Sequence, residues 1–312
     1  MARKFLSFCL LISFIITLSC SPKRKWQTST FIYFDTVCQL KVLCPPADFN
    51  LYRRQVRSIF SEIEAHFSPG VNDLTSPLVL KLFSEAFKIY KDSKGDFDIS
   101  VGPLSKAWGF LDNTYRVPSK NEISRILPLI GMDKIKKEKT KLILKDKMKL
   151  DWGAIAKGYG LDLAATSLQE KGIKRGFINA GGDLFCWGKN PENSSWKIGV
   201  KHPRKKGYLA ILAIKDLAAA TTGDYQRYFE INGQRYHHVF NPHTGYPAQG
   251  KQSVTVIGPQ ASTCDALATA LFISRKPEII INKYPDFGAF IVYSNGKTSL
   301  LGRSFDIRFL SN

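Results

Sequence analysis

An apolar stretch, Thr263-Cys-Asp-Ala-Leu-Ala-Thr-Ala-Leu-Phe-Ile-Ser274, is interrupted by one carboxylate, Asp265, and one hydroxyl, Thr269. If the stretch is helical, the two share a face one turn apart. Two readings compete. Ser262-x-x-Asp265 fits a capping box, and a threonine inside a helix bonds the carbonyl a turn back. The other reading is a magnesium site, because carboxylate and hydroxyl oxygens suit Mg2+, which completes its shell with substrate phosphates and water.

Two more segments bear on that choice. Asp151-Trp-Gly-Ala-Ile-Ala-Lys157-Gly reads as a glycine-flanked helix start whose free amides and lysine suit an anion. An ordinary helix start with a surface lysine has the same pattern. Asn179-Ala-Gly-Gly-Asp183 follows a strand-like run, so its glycines either bring backbone close to a ligand or make a turn. Together the three segments describe a diphosphate held by a lysine, helix amides and a magnesium ion. Other chemistries lack their marks. Gly158-Tyr-Gly160 misses the third glycine of a dinucleotide fingerprint, and there is no P-loop, H-E-x-x-H or G-x-S-x-G. His237, His238 and His243 cluster, but no cysteine or acid stands beside them at zinc-ligand spacing.

Six segments in order resemble the ApbE family of FAD:protein FMN transferases: F-D-I-S-V-G-P-L from Phe97, D-W-G-A-I-A-K-G-Y from Asp151, N-A-G-G-D from Asn179, T-T-G-D-Y from Thr221, Y-H-H-V-F-N-P-H-T-G-Y-P from Tyr236, and D-A-L-A-T-A from Asp265. The resemblance covers the chain from about Phe34 to Leu301. It implies an enzyme that cleaves FAD with Mg2+ and transfers FMN to a threonine hydroxyl of an acceptor flavoprotein, releasing AMP. By position it implies the Ala154 carbonyl, Asp265 and Thr269 as metal ligands. It places Phe34, Asp96, Phe97, Asp98, Asp151, Lys157 and Asp183 against FAD. His238 and Asp265 are the candidates for accepting the threonine proton, and the sequence does not rank them. The family's usual segment after the first helix is replaced here by Phe67-Ser-Pro-Gly-Val-Asn-Asp-Leu-Thr75, and Asn241 and His243 stand where Asp and Arg or Lys are commoner. An FAD diphosphatase giving FMN and AMP, or a non-catalytic FAD-binding lipoprotein, are the alternatives.

The elements that must position these residues follow from periodicity. The pattern predicts a strand over 31–43 and amphipathic helices over 51–67 and 77–91. It predicts a hairpin over 141–150, then a helix from about Ala154 to Gly172. Strands are expected at 175–187, 196–201 and 208–215, then a hairpin turning at Asn232-Gly233. A strand at 252–257, the Asp265 helix, a helix at 277–284 and strands at 288–293 and 303–309 complete the chain. Hairpins outnumber βαβ units, which points to α+β with mixed or largely antiparallel sheets and packed helices, in one body or in two lobes with the site between them.

The N-terminus sets the expected location. Arg3 and Lys4 precede an apolar run over residues 5–18, too short to span a bilayer comfortably, and Cys20 follows. This resembles a bacterial lipoprotein signal, with Thr17 where Leu is usual; an uncleaved anchor is the alternative. The expected division is a signal over 1–19, a lipid-anchored linker over 20–30 and one domain over 31–312. The protein is then exported, lipidated at Cys20 and held at the periplasmic face of the bacterial inner membrane. The net charge is +19, but the lysines are scattered and no nucleic-acid-binding signature accompanies them. Anionic lipid or a phosphorylated ligand suits that charge better than nucleic acid. Cys38 and Cys44 fall in one predicted strand, roughly 20 Å apart, so they are not expected to bridge.

Overall fold

The computed structural model describes residues 23–68 and 73–310. The signal segment, Cys20 and residues 69–72 of the replaced segment lie outside the described residues.

Strands β1 (Lys25–Tyr33) and β2 (Thr36–Cys44) form a hairpin in register from Lys25↔Cys44 to Tyr33↔Thr36. This corrects two expectations, a single strand over 31–43 and a linker reaching residue 30. The polar run at 25–30 is an edge strand with one covered side, where Trp26 meets Trp196 edge-on at 5.8 Å. The turn escaped notice because it is Phe34-Asp35 rather than Asn-Gly, yet both residues hold positive φ, 56° and 53°. Such backbone is unfavourable for a phenylalanine. The Phe34 ring packs 5.1 Å from that of Phe60, and its N–H donates to the Glu64 carboxylate.

Helices α1 (Phe49–Phe67) and α2 (Pro77–Asp92) bury apolar positions that periodicity picked out, among them Val56, Phe60, Leu82 and Phe83, although Leu51 at the start of α1 is exposed. Helices α3 (Gly102–Ala107) and α4 (Lys120–Ile126) are too short to show a period. A minimal hairpin, β3 (Lys136–Lys137) and β4 (Leu142–Ile143), lies earlier than expected. Helix α5 (Ala156–Glu170) follows, then β5 (Gly176–Ala180), β6 (Asp183–Trp187), β7 (Trp196–Lys201), β8 (Tyr208–Ile214) and β9 (Leu217–Gly223). The hairpin β10 (Tyr228–Ile231) and β11 (Gln234–His237) turns through Asn232-Gly233 as expected. The chain ends with β12 (Lys251–Gly258), α6 (Ala261–Ile273), α7 (Pro277–Ile281), β13 (Gly288–Tyr293), β14 (Thr298–Gly302) and β15 (Asp306–Phe309).

An eight-stranded sheet, in the order β1-β2-β5-β6-β9-β12-β13-β14, organises the body, and every neighbouring pair is antiparallel. Strand side chains alternate between its faces. Leu40, Ile178, Ala220 and Val256 point into the main core with α1, α2, α5 and α6. Leu184, Ala219, Ile257 and Phe290 point the other way, against the three-stranded sheet β15-β8-β7. A separate aromatic cluster around Trp108, Phe110 and Phe240 joins α3, α4 and the β10–β11 hairpin into a smaller lobe. Fully burying a Leu or Phe stabilises by about 1.5–3 kcal/mol, so the main core carries most of the stability. All four described cysteines, Cys38, Cys44, Cys186 and Cys264, are free and buried, and Cys38 and Cys44 share β2.

Candidate active site

Lys157 lies in the first turn of α5, and its ammonium meets three oxygens. Asp183 Oδ2 is at 3.1 Å, Asp265 Oδ2 at 3.6 Å and the Gly153 carbonyl at 3.2 Å. Each partner arrives for a local reason. Asp183 opens β6 directly after Gly181 and Gly182, whose φ of 66° and 107° make the tight reversal from β5. A Cβ at Gly181 would stand 2.8 Å from the Thr36 hydroxyl, so the β1–β2 hairpin abuts this turn. The other Asp183 oxygen accepts the Thr221 N–H at 3.1 Å. Burial works against the Lys157 charge, but Asp265 and Asp183 outweigh it and hold the ammonium above its usual range.

Asp265 and Thr269 lie one turn apart on α6, as the spacing predicts. The capping-box reading of Ser262 and Asp265 is not what forms. Helix α6 starts at Ala261 after an N-cap residue, Gln260, whose side chain caps no backbone N–H, and Asp265 Oδ2 instead accepts the Gly158 N–H at 3.3 Å. That amide would ordinarily bond the Ala154 carbonyl one turn back. Among the described residues no donor is directed at the Ala154 carbonyl. Helix α5 accordingly begins at Ala156 rather than Ala154. The Thr269 hydroxyl is 3.0 Å from that of Thr222 on β9. Burial pushes the Asp265 carboxyl up, Lys157 pulls it down and Asp183 adds to the rise.

Other expected residues sit around this centre rather than in it. Asp151 accepts from Ser105 at 2.6 Å and from the Gly153 N–H at 3.0 Å, which ties the loop before α5 to the smaller lobe. Asp96 pairs with His243 at 3.2 Å, at the edge of a cleft of ≈ 390 Å³ that also includes Asn241, Arg275 and Lys276. Neither Lys157, Asp183 nor Asp265 lines that cleft. Phe97 is buried in the main core, and Asp98 is buried with one oxygen accepting both the Ser100 N–H and hydroxyl. Phe34 lies over Gly160 of α5, where a Cβ would come 3.4 Å from its ring.

His238 is half-buried at the margin of the smaller lobe, 6.3 Å from the Phe110 ring. Its Nδ1 faces the Arg227 carbonyl at 3.2 Å, which assigns the proton to Nδ1 and leaves Nε2 as an acceptor. Burial drives its pKa down to about 3, and the nearby Arg227 charge presses the same way. His237 instead bonds the Ala248 carbonyl at 2.8 Å and His243 bonds Asp96, so the three histidines do not converge. Among the described residues no group of three or more His, Cys, Asp or Glu is placed to hold a metal.

Residues 34–288 match the sequence model of the ApbE family. This chain belongs to the ApbE family. It is 34% identical over 204 residues to the FAD:protein FMN transferase of Haemophilus influenzae, covering 62% of this chain and 59% of that protein. It is 34% identical over 205 residues to the one of Vibrio cholerae, covering 64% and 61%. The chain therefore spans about three-fifths of the length of these curated relatives. The ApbE protein of Thermotoga maritima has the same fold, with a TM-score of 0.82 at 30% identity over 89% of this chain and 97% of that one. Antiparallel sheets with packed helices, expected from the hairpins, are thus the ApbE architecture.

Several residues of this ApbE site were not legible as such. Thr222 belongs to the T-T-G-D-Y segment but had no assigned partner. Asp224 of that segment forms a bidentate pair with Arg204 at 2.8 and 2.5 Å, away from Lys157. Asp162 and Arg227 carry no motif signal at all.

Asp98 has a consequence for stability. Burial pushes its carboxyl up to about 6, with Ser100 pulling against the rise. An acid raised in the folded state contributes stability fully below its unfolded value, and that contribution is lost as pH rises through about 6. Relative to Asp98→Asn, the wild type should lose up to about 3 kcal/mol between pH 4 and pH 7. Urea melts of both proteins across that range test this, and parallel pH curves would show that Asp98 is ionised without cost.

Proposed function

We propose that this ApbE protein transfers FMN from FAD to a threonine hydroxyl of an acceptor protein, with Mg2+ bound at Ala154, Asp265 and Thr269. The observation that carries the reading is the opened start of α5. Among the described residues the Ala154 carbonyl has no donor directed at it, and Asp265, one of the two buried carboxylates that hold Lys157, shares α6 with the Thr269 hydroxyl one turn on. These oxygen donors fit a hard cation that keeps other positions for phosphate and water. When bound, Mg2+ would neutralise diphosphate charge and polarise the phosphoryl oxygen.

The chain's own residues account for the rest. Lys157 offers its ammonium to the diphosphate, and Asp183 keeps it aimed there. Phosphoryl transfer needs positioning and charge neutralisation more than covalent help. The threonine oxygen attacks the FMN phosphorus, the bond to the AMP oxygen breaks, and the hydroxyl proton goes to one of two acceptors, His238 Nε2 or the Asp265 carboxylate. Asp265 is made more basic by burial but its Oδ2 is engaged by Lys157 and the Gly158 N–H, whereas His238 has a free Nε2 that burial leaves weakly basic. Phe34, strained at φ 56° and resting on α5, offers an aromatic edge to the flavin.

Incubating the protein with FAD, Mg2+ and a flavin-acceptor protein tests the proposal. A covalent fluorescent acceptor band is expected; free FMN without a band would make it a diphosphatase, and unchanged FAD would make it a binder. We further propose that the protein is exported and lipidated at Cys20, five residues before β1. Mass spectrometry of the native N-terminal peptide should find a diacylglyceryl thioether there, and an unmodified N-terminus would overturn it.

A further inference from the structure

We infer that Asp162 is a positioning residue that locks helix α6 to helix α5, with Lys251 holding the far end. The inference rests on the reading of Asp265 and Thr269 as ligand-bearing side chains. Helix α6 is buried along almost its whole length, and its own N-cap side chain accepts from none of its backbone N–H groups. The cap comes from α5 instead. Asp162 accepts the Ala261 N–H at 2.7 Å through one oxygen and the Ser262 N–H at 2.9 Å through the other. One turn earlier on α5, the Gly158 N–H donates to Asp265 at 3.3 Å.

The two helices therefore exchange groups reciprocally. A carboxylate of α5 takes the first amides of α6, and an amide of α5 meets the carboxylate of α6. Their backbones touch at this point, since a Cβ on Gly158 would come 2.3 Å from the Ala261 carbonyl oxygen. At the other end buried Lys251, on β12, donates to the Phe272 and Ser274 carbonyls at 3.3 and 2.6 Å. A carboxylate at the first turn and an ammonium at the last both complement the helix dipole. Asp265 follows Ala261 by one turn and Thr269 by two, so the Asp162 anchor sets where both ligands stand relative to Ala154 and Lys157.

Asp162→Asn keeps the shape but turns an NH2 group toward one of the two amides. In the full chain with FAD, Mn2+ binding followed by electron paramagnetic resonance should weaken about 10-fold or more, the scale on which outer partners of ligands act. The transfer rate should recover most of its wild-type value at saturating metal. Leu168→Ala, buried on α5 away from the α6 start, serves as a control with lowered melting temperature and unchanged Mn2+ affinity. Unchanged affinity in Asp162→Asn, or an equal loss in Leu168→Ala, overturns the inference. If the wild type bound no Mn2+, the metal reading would fail, and hydrogen exchange of the metal-free proteins would still decide the clamp. Faster exchange over residues 261–265 in Asp162→Asn, but not in Leu168→Ala, supports it, and equal protection in all three overturns it.

Discussion

Asp265→Ala is expected to lower divalent-cation-dependent flavin transfer by about 10²–10³-fold or more, the scale of removing one preorganised electrostatic group from a transfer site. The fold should survive, for a reason visible around Lys157. With Asp265 gone the ammonium still has Asp183 at 3.1 Å and the Gly153 carbonyl at 3.2 Å. No charge is orphaned. Removing Lys157 instead would strand two buried carboxylates, and breaking a buried pair from one side costs about 3–5 kcal/mol. Asp265→Ala therefore separates chemistry from folding better than the lysine change does. The measurement is the initial transfer rate over a Mg2+ series, paired with a thermal melt. Wild-type turnover in a folded Asp265→Ala protein would sink the metal assignment.

The legible part of this site was its chemistry, and the illegible part was its geometry. Asp265, Thr269 and Lys157 stood out because a charge inside an apolar run or at a glycine-flanked helix start is unusual. Their convergence did not, because it depends on pairings between segments far apart in sequence. Strand β9 shows why. Leu-Ala-Ala-Ala-Thr-Thr-Gly has neither β-branched density at its start nor alternation, since both of its faces are covered and small residues fit there. Missing β9 meant missing the Thr222 hydroxyl beside Thr269. Strand β1 was misread for the opposite reason, since its polar half looked like a linker although it pairs along its whole length. Ser262 and Asp265 matched a local capping box, but a tertiary partner, Asp162, takes the helix start and frees Asp265 for the site. Phe97 and Asp98 were drawn in with Asp96 as one segment, whereas the fold buries them and leaves only Asp96 at the cleft.

His238→Gln should cut transfer to the acceptor by about 10²-fold, the low end of a proton acceptor's contribution because burial leaves Nε2 weakly basic, while FAD binding stays near the wild-type level. The geometry behind this is the Arg227 carbonyl, which takes the Nδ1 proton at 3.2 Å and leaves Nε2 open. Glutamine occupies similar space and can still bond that carbonyl, but it offers no basic nitrogen. Because burial and Arg227 hold His238 down to about 3, its neutral form is present across the whole physiological range. The pH profile of kcat/KM, which reports the free enzyme, should then show no acidic limb from this histidine between about pH 5 and 8. An acidic limb near the ordinary histidine value of about 6.5 that vanishes in His238→Gln would mean that the ring is charged in the resting enzyme. Unimpaired transfer by His238→Gln would remove His238 from the reaction and return the proton to Asp265.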